Sequence, residues 1–443
     1  MEPLSRRAIF AQAWPIILGQ ALVPLVGIVD ATVIGRTGDA GALAGVALGV
    51  TVINLVFWTF GFLRMGVTGL TAQARGAGDR REVPATLLRG LVLGVAIGAL
   101  LLACSGLIVP FALDVMSVPP QAEGAAHAFT TARFFGAPGA LGFYVINGWL
   151  LGMGRTRLAL GCQLLMNGLN IALDLLFVSG FHMGALGVGI GTALAEWSAL
   201  GVGLVAVHRV LGAGWWRMLS GEGLFAFASM RRLIAVNLDI MIRTLALLIL
   251  FTWFARAGAR LGAVPLAANH VLMQFVSVSA FVLDGFAFTA EARVGAAVGA
   301  GSRAAFLRAV RLTGEFSLAG GLLFTLLIAF GGNVLIDLVT RDPAVRVQAM
   351  AMLPWCALIP LLGAPSWLLD GIFIGATRGR VLRNAAVAVT AAYLATDAAL
   401  RGFGDVGVWA ALLASYVYRA LSLGLCLPGL FRRVERAEPS FVL

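Results

Sequence analysis

The chain has 443 residues, of which 60% are hydrophobic and only 12% are charged, and its mean hydropathy is +0.94. This composition excludes an ordinary soluble globular protein, since about 25% of the residues in such proteins are charged. A membrane-spanning helix needs about 20 mostly apolar residues, so the chain has room for about a dozen spans and for no sizeable soluble domain. The net charge of +11 arises from 32 arginines, because the chain contains no lysine. In a membrane protein such cations mark cytoplasmic loops, and we expect no binding of nucleic acid.

Apolar segments separated by Gly, Pro and Arg clusters predict twelve spans in chain order. They lie at residues 13–36, 42–70, 85–113, 126–153, 158–179, 184–208, 232–257, 264–290, 305–338, 346–375, 382–401 and 407–431. With a cytoplasmic N-terminus, 22 arginines fall in the inside segments and 6 in the outside segments. The excess of inside arginines places both termini in the cytoplasm of a multi-pass membrane protein. The absence of lysine indicates a GC-rich bacterial genome, so we expect the protein in a bacterial inner membrane.

An internal repeat divides the chain into two halves. The sequence Gly-Ala-Gly-Asp-Arg at 76–80 recurs as Gly-Ala-Gly-Ser-Arg at 299–303, and the same offset of 223 residues relates Asp174 to Asp397. An even number of spans per unit keeps the halves in the same orientation, so we predict an all-α membrane protein of two six-helix lobes, related by a pseudo-two-fold axis along the membrane normal. The predicted domains are an N-lobe at 1–211, a cytoplasmic linker at 212–229 and a C-lobe at 230–443.

Polar residues inside the first-half spans are the first candidates for function. Asp30 lies deep in the first span, Asn170 and Asp174 lie on one face of the fifth, and Thr192 lies near the middle of the glycine-rich sixth. An ionisable group in a span costs several kcal/mol (~3 or more) unless it is paired, hydrated or protonated. Carboxylate, amide and hydroxyl oxygens form the kind of hard-oxygen set that binds Na⁺ or holds a proton. We therefore predict a cation or proton site formed by Asp30, Asn170, Asp174 and Thr192.

The second half has its own acidic residues. Asp370 lies near the end of the tenth span, and Asp284 and Glu291 lie seven residues apart on one face of the eighth. We assign these three residues to a second-lobe site or to the lining of a substrate cavity. Tyr393 replaces the counterpart of Asn170 in the repeat, so the first-half oxygen site is not expected to be duplicated.

Other charged residues within the spans are better explained by ion pairing. Asp239 and Arg243 lie four residues apart on the seventh span and are predicted to form a structural ion pair. Glu196 follows Thr192 by one helical turn. It belongs either to the first-half site or to an ion pair with Arg133 or Arg64.

Several segments resemble the multidrug and toxic compound extrusion (MATE) family. They are GIVDATVIG at 27–35, GFLRMGVTGLTAQ at 61–73 and DGIFIGATR at 370–378. The sequence FVLDGF at 281–286, followed by Ala290 and Glu291, is more similar to the DNA-damage-inducible F (DinF) branch than to the norfloxacin-exporter branch. The resemblance extends from about Pro15 to about Leu430.

This resemblance implies a V-shaped pair of lobes that exports cationic, amphiphilic compounds in exchange for H⁺ or Na⁺ by alternating access. It assigns the first-lobe cation site to Asp30, Asn170, Asp174 and Thr192. Protonation of the first-helix aspartate would bend that helix, and Pro15 or Pro24 would be the hinge. The second-lobe carboxylate of the family matches Asp370, but this chain lacks the glutamate that other branches carry on the seventh helix, which puts a second-lobe cation site in doubt.

Two functions other than drug export are a flippase and a membrane-embedded enzyme. Related two-lobed exporters move lipid-linked precursors, so a flippase for lipid-linked substrates is the alternative function. An enzyme would need a nucleophile or a metal-binding motif, and the sequence has no HExxH motif and no paired acidic metal motif. We expect no catalytic residues, no cofactor, no resident metal unless Na⁺ binds at the first-lobe site, and a monomer that acts on small cationic or amphiphilic substrates within the bilayer.

Overall fold

The computed structural model describes residues 4–36, 39–215 and 224–436, and these parts of the chain are helical, with no strand. The helices are α1 Arg6–Gly35, α2 Ala40–Thr59, α3 Phe62–Gly76, α4 Glu82–Ala103, α5 Ser105–Val115, α6 Pro120–Phe135, α7 Ala137–Gly152, α8 Thr156–Asp174, α9 Gly184–Leu211, α10 Phe227–Leu261, α11 Ala263–Gly299, α12 Arg303–Val339, α13 Pro343–Gly375, α14 Gly379–Leu400 and α15 Gly404–Arg436. A π-helical turn, Leu175–Gly180, follows α8, and a 3₁₀ turn, Arg401–Phe403, separates α14 from α15.

Most helices of the described residues are long and apolar enough to cross a membrane. Ten helical segments meet that requirement, or eleven when the bent pair α6 and α7 counts as one span. One of the ten, Gly379–Arg432, is 54 residues long. At 1.5 Å per residue it would be about 80 Å long, more than twice the thickness of a bilayer core. Divided at the 3₁₀ turn, it supplies the eleventh and twelfth predicted spans.

Three of the predicted spans are broken rather than straight. The second divides into α2 and α3 at Phe60 and Gly61, the third into α4 and α5 at Cys104, and the fourth into α6 and α7 at Gly136. The helices α6 and α7 meet at an angle of 50°. These breaks were not predicted, because an apolar run has the same hydropathy whether or not its helix bends.

The internal repeat recurs in the backbone of the connecting turns. Gly78 and Gly301 occupy equivalent positions and have φ angles of 72° and 63°. Next to them Asp79 accepts hydrogen bonds from the N–H groups of Arg81 and Glu82, and Ser302 accepts one from Ala305. The sequence similarity between 76–80 and 299–303 therefore reflects the same turn and the same way of starting the next helix.

The chain divides into two compact units. One contains Met1–Ile17, Gly76–Gly78 and Ala235–Leu443, and the other contains Leu18–Arg75 and Asp79–Ile234. In the first unit Trp409 is fully buried, meets Phe254 edge to face and donates a 2.8 Å hydrogen bond to Asn269 Oδ1. In the second, Phe57, Phe129 and Phe134 lie in the core beside α1 and α9.

The predicted domain limits at 211 and 230 stay a prediction. Helix α9 ends at Leu211 and α10 begins at Phe227. Residues 216–223 of the predicted linker lie outside the described part of the chain.

Helix α1 contributes to both units. Its first part belongs to the unit of the second half, where Arg293 Nε donates to Gln12 Oε1 at 2.6 Å and Arg6 Nε lies 2.9 Å from Glu315 Oε2. From Leu18 onward it belongs to the other unit, where Gln163 donates to the carbonyl oxygen of Gly19 at 3.1 Å. The boundary between the two units within α1 lies between Ile17 and Leu18, shortly after Pro15.

Candidate functional site

The structure brings together the four residues that the sequence placed in the first-half site. Asn170 Nδ2 donates to Asp174 Oδ2 at 3.1 Å and to Thr192 Oγ1 at 2.9 Å. The Thr192 hydroxyl donates in turn to the carbonyl oxygen of Val188 at 2.9 Å. Asp30, on α1, contacts Asp174. The site thus joins α1, α8 and α9 within one unit of the chain.

The carboxyl groups of Asp30 and Asp174 lie within hydrogen-bonding reach of each other. Asp30 is 7% exposed and Asp174 is fully buried. Ionised carboxylates are only acceptors, so a hydrogen bond between two carboxyl groups requires a proton on one of them. Within the described residues, Oδ1 of each aspartate has no hydrogen-bond partner. The pair therefore has the geometry of a site that shares one proton.

Local backbone features explain why Asp174 fits between two helices. Residues four apart lie on one face of a helix, which aligns Asn170 with Asp174. Helix α8 changes to a π-helical turn directly after Asp174. On α9, a Cβ atom at Gly191 would lie 2.4 Å from Asp174 Oδ1, so glycine leaves room for the carboxyl group in this position.

Asp370, in the other unit, has a different environment. Its side chain forms ion pairs with Arg243 and with Arg419, and Arg419 Nε lies 3.2 Å from Oδ1. All three residues are largely buried. Two guanidinium groups thus compensate the charge of this carboxylate.

The sequence model of the MatE family matches residues 15–176 and 240–406. The chain belongs to the multidrug and toxic compound extrusion (MATE) family. MATE proteins are transporters, so this protein is a multi-pass membrane transporter and not an enzyme.

Curated relatives and solved structures agree with this assignment. The chain is 36% identical to the DNA damage-inducible protein F of Escherichia coli K12, over 95% of this chain and 91% of the relative. It is 24% identical to a probable multidrug resistance protein NorM of Acinetobacter baylyi, over 81% and 80% of the two chains. The crystal structure of a MATE protein in a bent conformation matches with a TM-score of 0.87 at 18% identity, over 97% and 96% of the chains. The resemblance to the DinF branch and the all-α MATE fold are therefore confirmed.

A third buried acidic residue lies next to the first site of this MATE protein. Glu196 Oε1 lies 2.9 Å from Arg133 Nη1, and the Arg133 guanidinium lies 5.4 Å from the centre of the Phe57 ring. Of the two roles considered for Glu196, the ion pair with Arg133 is the one that the structure contains. Sequence reasoning did not assign Arg133 to the site, because α6 and α9 are 63 residues apart at these positions and no local spacing links them.

The prediction that Asp239 and Arg243 pair with each other on the seventh span was wrong. Asp239 pairs with Arg383 at 2.8 Å, and Arg243 pairs with Asp370. Residues four apart on a helix are neighbours, but in this MATE protein long arginine side chains from α10 and α14 reach carboxylates on other helices. Sequence spacing alone could not find these partners.

The remaining second-half residues do not form a copy of the first site. Asp397, the repeat counterpart of Asp174, accepts hydrogen bonds from Arg260 at 2.8 Å and from Trp253 at 3.0 Å. Glu291 is fully buried and Asp284 is half-buried on α11. Their roles in a second-lobe or cavity site stay a prediction, as does the hinge at Pro15 or Pro24. The side chain of Pro24 lies outside the described residues, although α1 is helical at that position.

Proposed function

We propose that this protein is a multidrug efflux antiporter that exports cationic amphiphilic compounds in exchange for H⁺. Relatives named multidrug resistance proteins NorM and MdtK support the substrate class. The observation that favours this function most is the buried contact between the carboxyl groups of Asp30 and Asp174. Asp30, Asn170, Asp174 and Thr192 form the proton-binding site of this proposal.

A shared carboxyl proton suits exchange for a cation. A proton and a cationic compound both reduce the negative charge of the pair, so binding of one weakens binding of the other. Each ligand shifts the equilibrium between inward-open and outward-open states only by its difference in affinity for the two states. Exchange follows when the proton and the substrate favour opposite states.

The same contact favours H⁺ over Na⁺ as the coupling ion. A proton satisfies two carboxyl groups that touch each other, whereas a metal cation needs several oxygen ligands around it. The amide nitrogen of Asn170 already donates to Asp174 and Thr192. Na⁺ is the alternative coupling ion, and transport under separate pH and Na⁺ gradients distinguishes it from H⁺.

Helix α1 links proton binding to movement. Asp30 lies in the part of α1 that belongs to one unit, and the residues up to Ile17 belong to the other. A change in the Asp30–Asp174 contact alters the forces on α1, and a proline lacks the N–H that would complete the helix, so bending is easiest near Pro15 or Pro24. In the cell we place the transporter in the cytoplasmic membrane, as a monomer. Its arginine distribution favours an orientation with both termini inside.

Ethidium transport in proteoliposomes tests this function. Fluorescence follows transport driven first by an imposed pH gradient and then by an imposed Na⁺ gradient. We expect flux under the pH gradient in the wild type and none in Asp30→Asn, because the amide cannot release a proton. Asp114→Asn is the matched control, since Asp114 is exposed at the end of α5.

Each other outcome contradicts a stated part of the proposal. Flux that follows only the Na⁺ gradient excludes proton coupling. Full flux in well-expressed Asp30→Asn excludes the site. No flux of ethidium under either gradient contradicts cation export and directs attention to lipid-linked substrates.

A further inference from the structure

Glu196 is a buried carboxyl group beside the Asp30–Asp174 pair. It is 8% exposed, and it follows Thr192 by one turn of α9. Its Oε1 atom pairs with Arg133, whereas Oε2 has no hydrogen-bond partner among the described residues. A carboxylate oxygen that is buried without a donor is costly unless it carries a proton.

The Oε2 atom of Glu196 lies against Gly136, which separates α6 from α7. A Cβ atom at Gly136 would lie 2.1 Å from Oε2 and 2.9 Å from the Cα of Ala193. Gly191 makes room for Asp174 Oδ1 in the same way, at 2.4 Å. Both unpartnered oxygens thus lie against glycine positions, where a Cβ atom would force the carboxyl group to move.

Arg133 is the cation that Glu196 and the aspartate pair have in common. Its charge acts on Asp30, on Asp174 and on Glu196. The other titratable groups that face this region are Tyr144 on α7, whose neighbours are Glu196 and Arg133, and Arg64 on α3, which acts on Tyr144.

Counted with Arg133, the carboxylates of Asp30, Asp174 and Glu196 carry two excess negative charges, which two protons neutralise. One proton shared by Asp30 and Asp174 leaves the pair with one negative charge, which Arg133 neutralises. Glu196 is then neutral only if it also carries a proton. A low-dielectric interior strongly favours the neutral cluster, because an uncompensated buried charge has a large desolvation cost.

We propose that Glu196 is a third proton-binding residue of the first lobe and binds a second exchangeable proton on Oε2. In the protonated form Oε1 still faces Arg133 Nη1, and Oε2 takes a proton from a hydronium ion of the aqueous phase, which leaves as water. Loss of that proton returns the carboxylate to an ion pair with Arg133. This inference extends the proposed H⁺ antiport, since it gives one lobe two protons to exchange.

Infrared difference spectra of the purified protein between low and high pH test the inference. Protonated carboxyl groups show a C=O stretching band that is lost on ionisation. We expect the wild type to lose two components, Glu196→Gln to lack one of them and Asp30→Asn to change the other. The amide of Glu196→Gln keeps the size of the side chain and an acceptor for Arg133. Glu315→Gln is the matched control, since Glu315 is an accessible carboxylate that pairs with Arg6.

Transport by the same variants separates this inference from the proposed function. Glu196→Gln should retain flux driven by a pH gradient but with a different pH profile from the wild type. A band and a pH profile identical to those of the wild type overturn the inference while the antiport stands. If the wild type shows no flux, the antiport fails, and the band alone still decides whether Glu196 binds a proton. If Glu196→Gln does not fold, Glu196→Asp should shift the frequency of one component, and no shift overturns the inference.

Discussion

At the scale of single residues, the buried carboxylates of this transporter differ in what compensates their charge. Asp370 contacts two arginines and Asp397 contacts Arg260, whereas Asp30 and Asp174 contact each other. A carboxylate that a fixed cation already neutralises has little affinity left for a mobile cation. This difference is the reason why we assign the proposed proton exchange to the first site rather than to Asp370.

Asp370 should matter mainly for stability. Asp370→Asn leaves two buried guanidinium groups without their counter-charge, which lowers the free energy of unfolding by about 3–5 kcal/mol. Thermal unfolding in detergent measures the loss. Asp337→Asn is the control, because Asp337 pairs with Arg346 but is 51% exposed, and an exposed pair contributes only about 0–1 kcal/mol. A stable Asp370→Asn protein with no transport would instead make Asp370 a functional cation site.

Gly191 should be essential for the position of Asp174. In Gly191→Ala the new methyl group would lie 2.4 Å from Asp174 Oδ1, so the carboxyl group must move. We expect a fall in ethidium flux of about ten- to a hundredfold, since small displacements of a reacting group have effects of that size. Gly201→Ala, on the same helix with open space at its Cβ, should transport normally. Equal flux in the two variants would show that Asp174 need not stay where it is.

The sequence predicted part of this site for physical reasons. Helical spacing placed Asn170 beside Asp174, and the rarity of ionisable groups in spans singled out Asp30. That Asp30 shares a site with Asp174 was predicted from the few polar residues in the first-half spans and from the family resemblance, because no periodicity relates positions 144 residues apart. The partners of Asp239 and Asp370 depend on tertiary packing and could not be deduced, whereas Arg133 was one of the two partners considered for Glu196.

At the scale of helices and turns, the glycine turns at 76–80 and 299–303 connect α3 to α4 and α11 to α12. Gly78 has a φ of 72°, in the left-handed region that side chains avoid, and its Cβ position is open. Gly78→Ala should therefore lower the free energy of unfolding by about 1–2 kcal/mol through backbone strain alone. Gly161→Ala, inside α8 and also in open space, should raise it by about 0.5–1 kcal/mol. Thermal unfolding of the two variants with the same sign would contradict this explanation.

The helices themselves were largely predictable, but their breaks were not. Hydropathy located each predicted span because about 20 apolar residues are needed to cross the bilayer. The break at Gly136 adjoins Glu196 of α9, and the π-helical turn after Asp174 is not marked by any change in composition. Both irregularities adjoin the buried acidic residues.

At the scale of the whole molecule, a duplicated fold carries two different sets of charges. The turns at 76–80 and 299–303 are equivalent, yet Asp174 and its counterpart Asp397 have different partners. Duplication therefore preserved the backbone more closely than the chemistry of the spans. We infer that the exchanged protons are bound in the first half of the chain.

The most direct test of this account is the release of protons when a cation binds. Purified protein in weakly buffered, Na⁺-free solution is mixed with ethidium, and a pH-sensitive dye records the protons released for each ethidium bound. The account predicts release by the wild type and a smaller release by Asp30→Asn. Binding of ethidium with no release by the wild type, or equal release by both proteins, would contradict it.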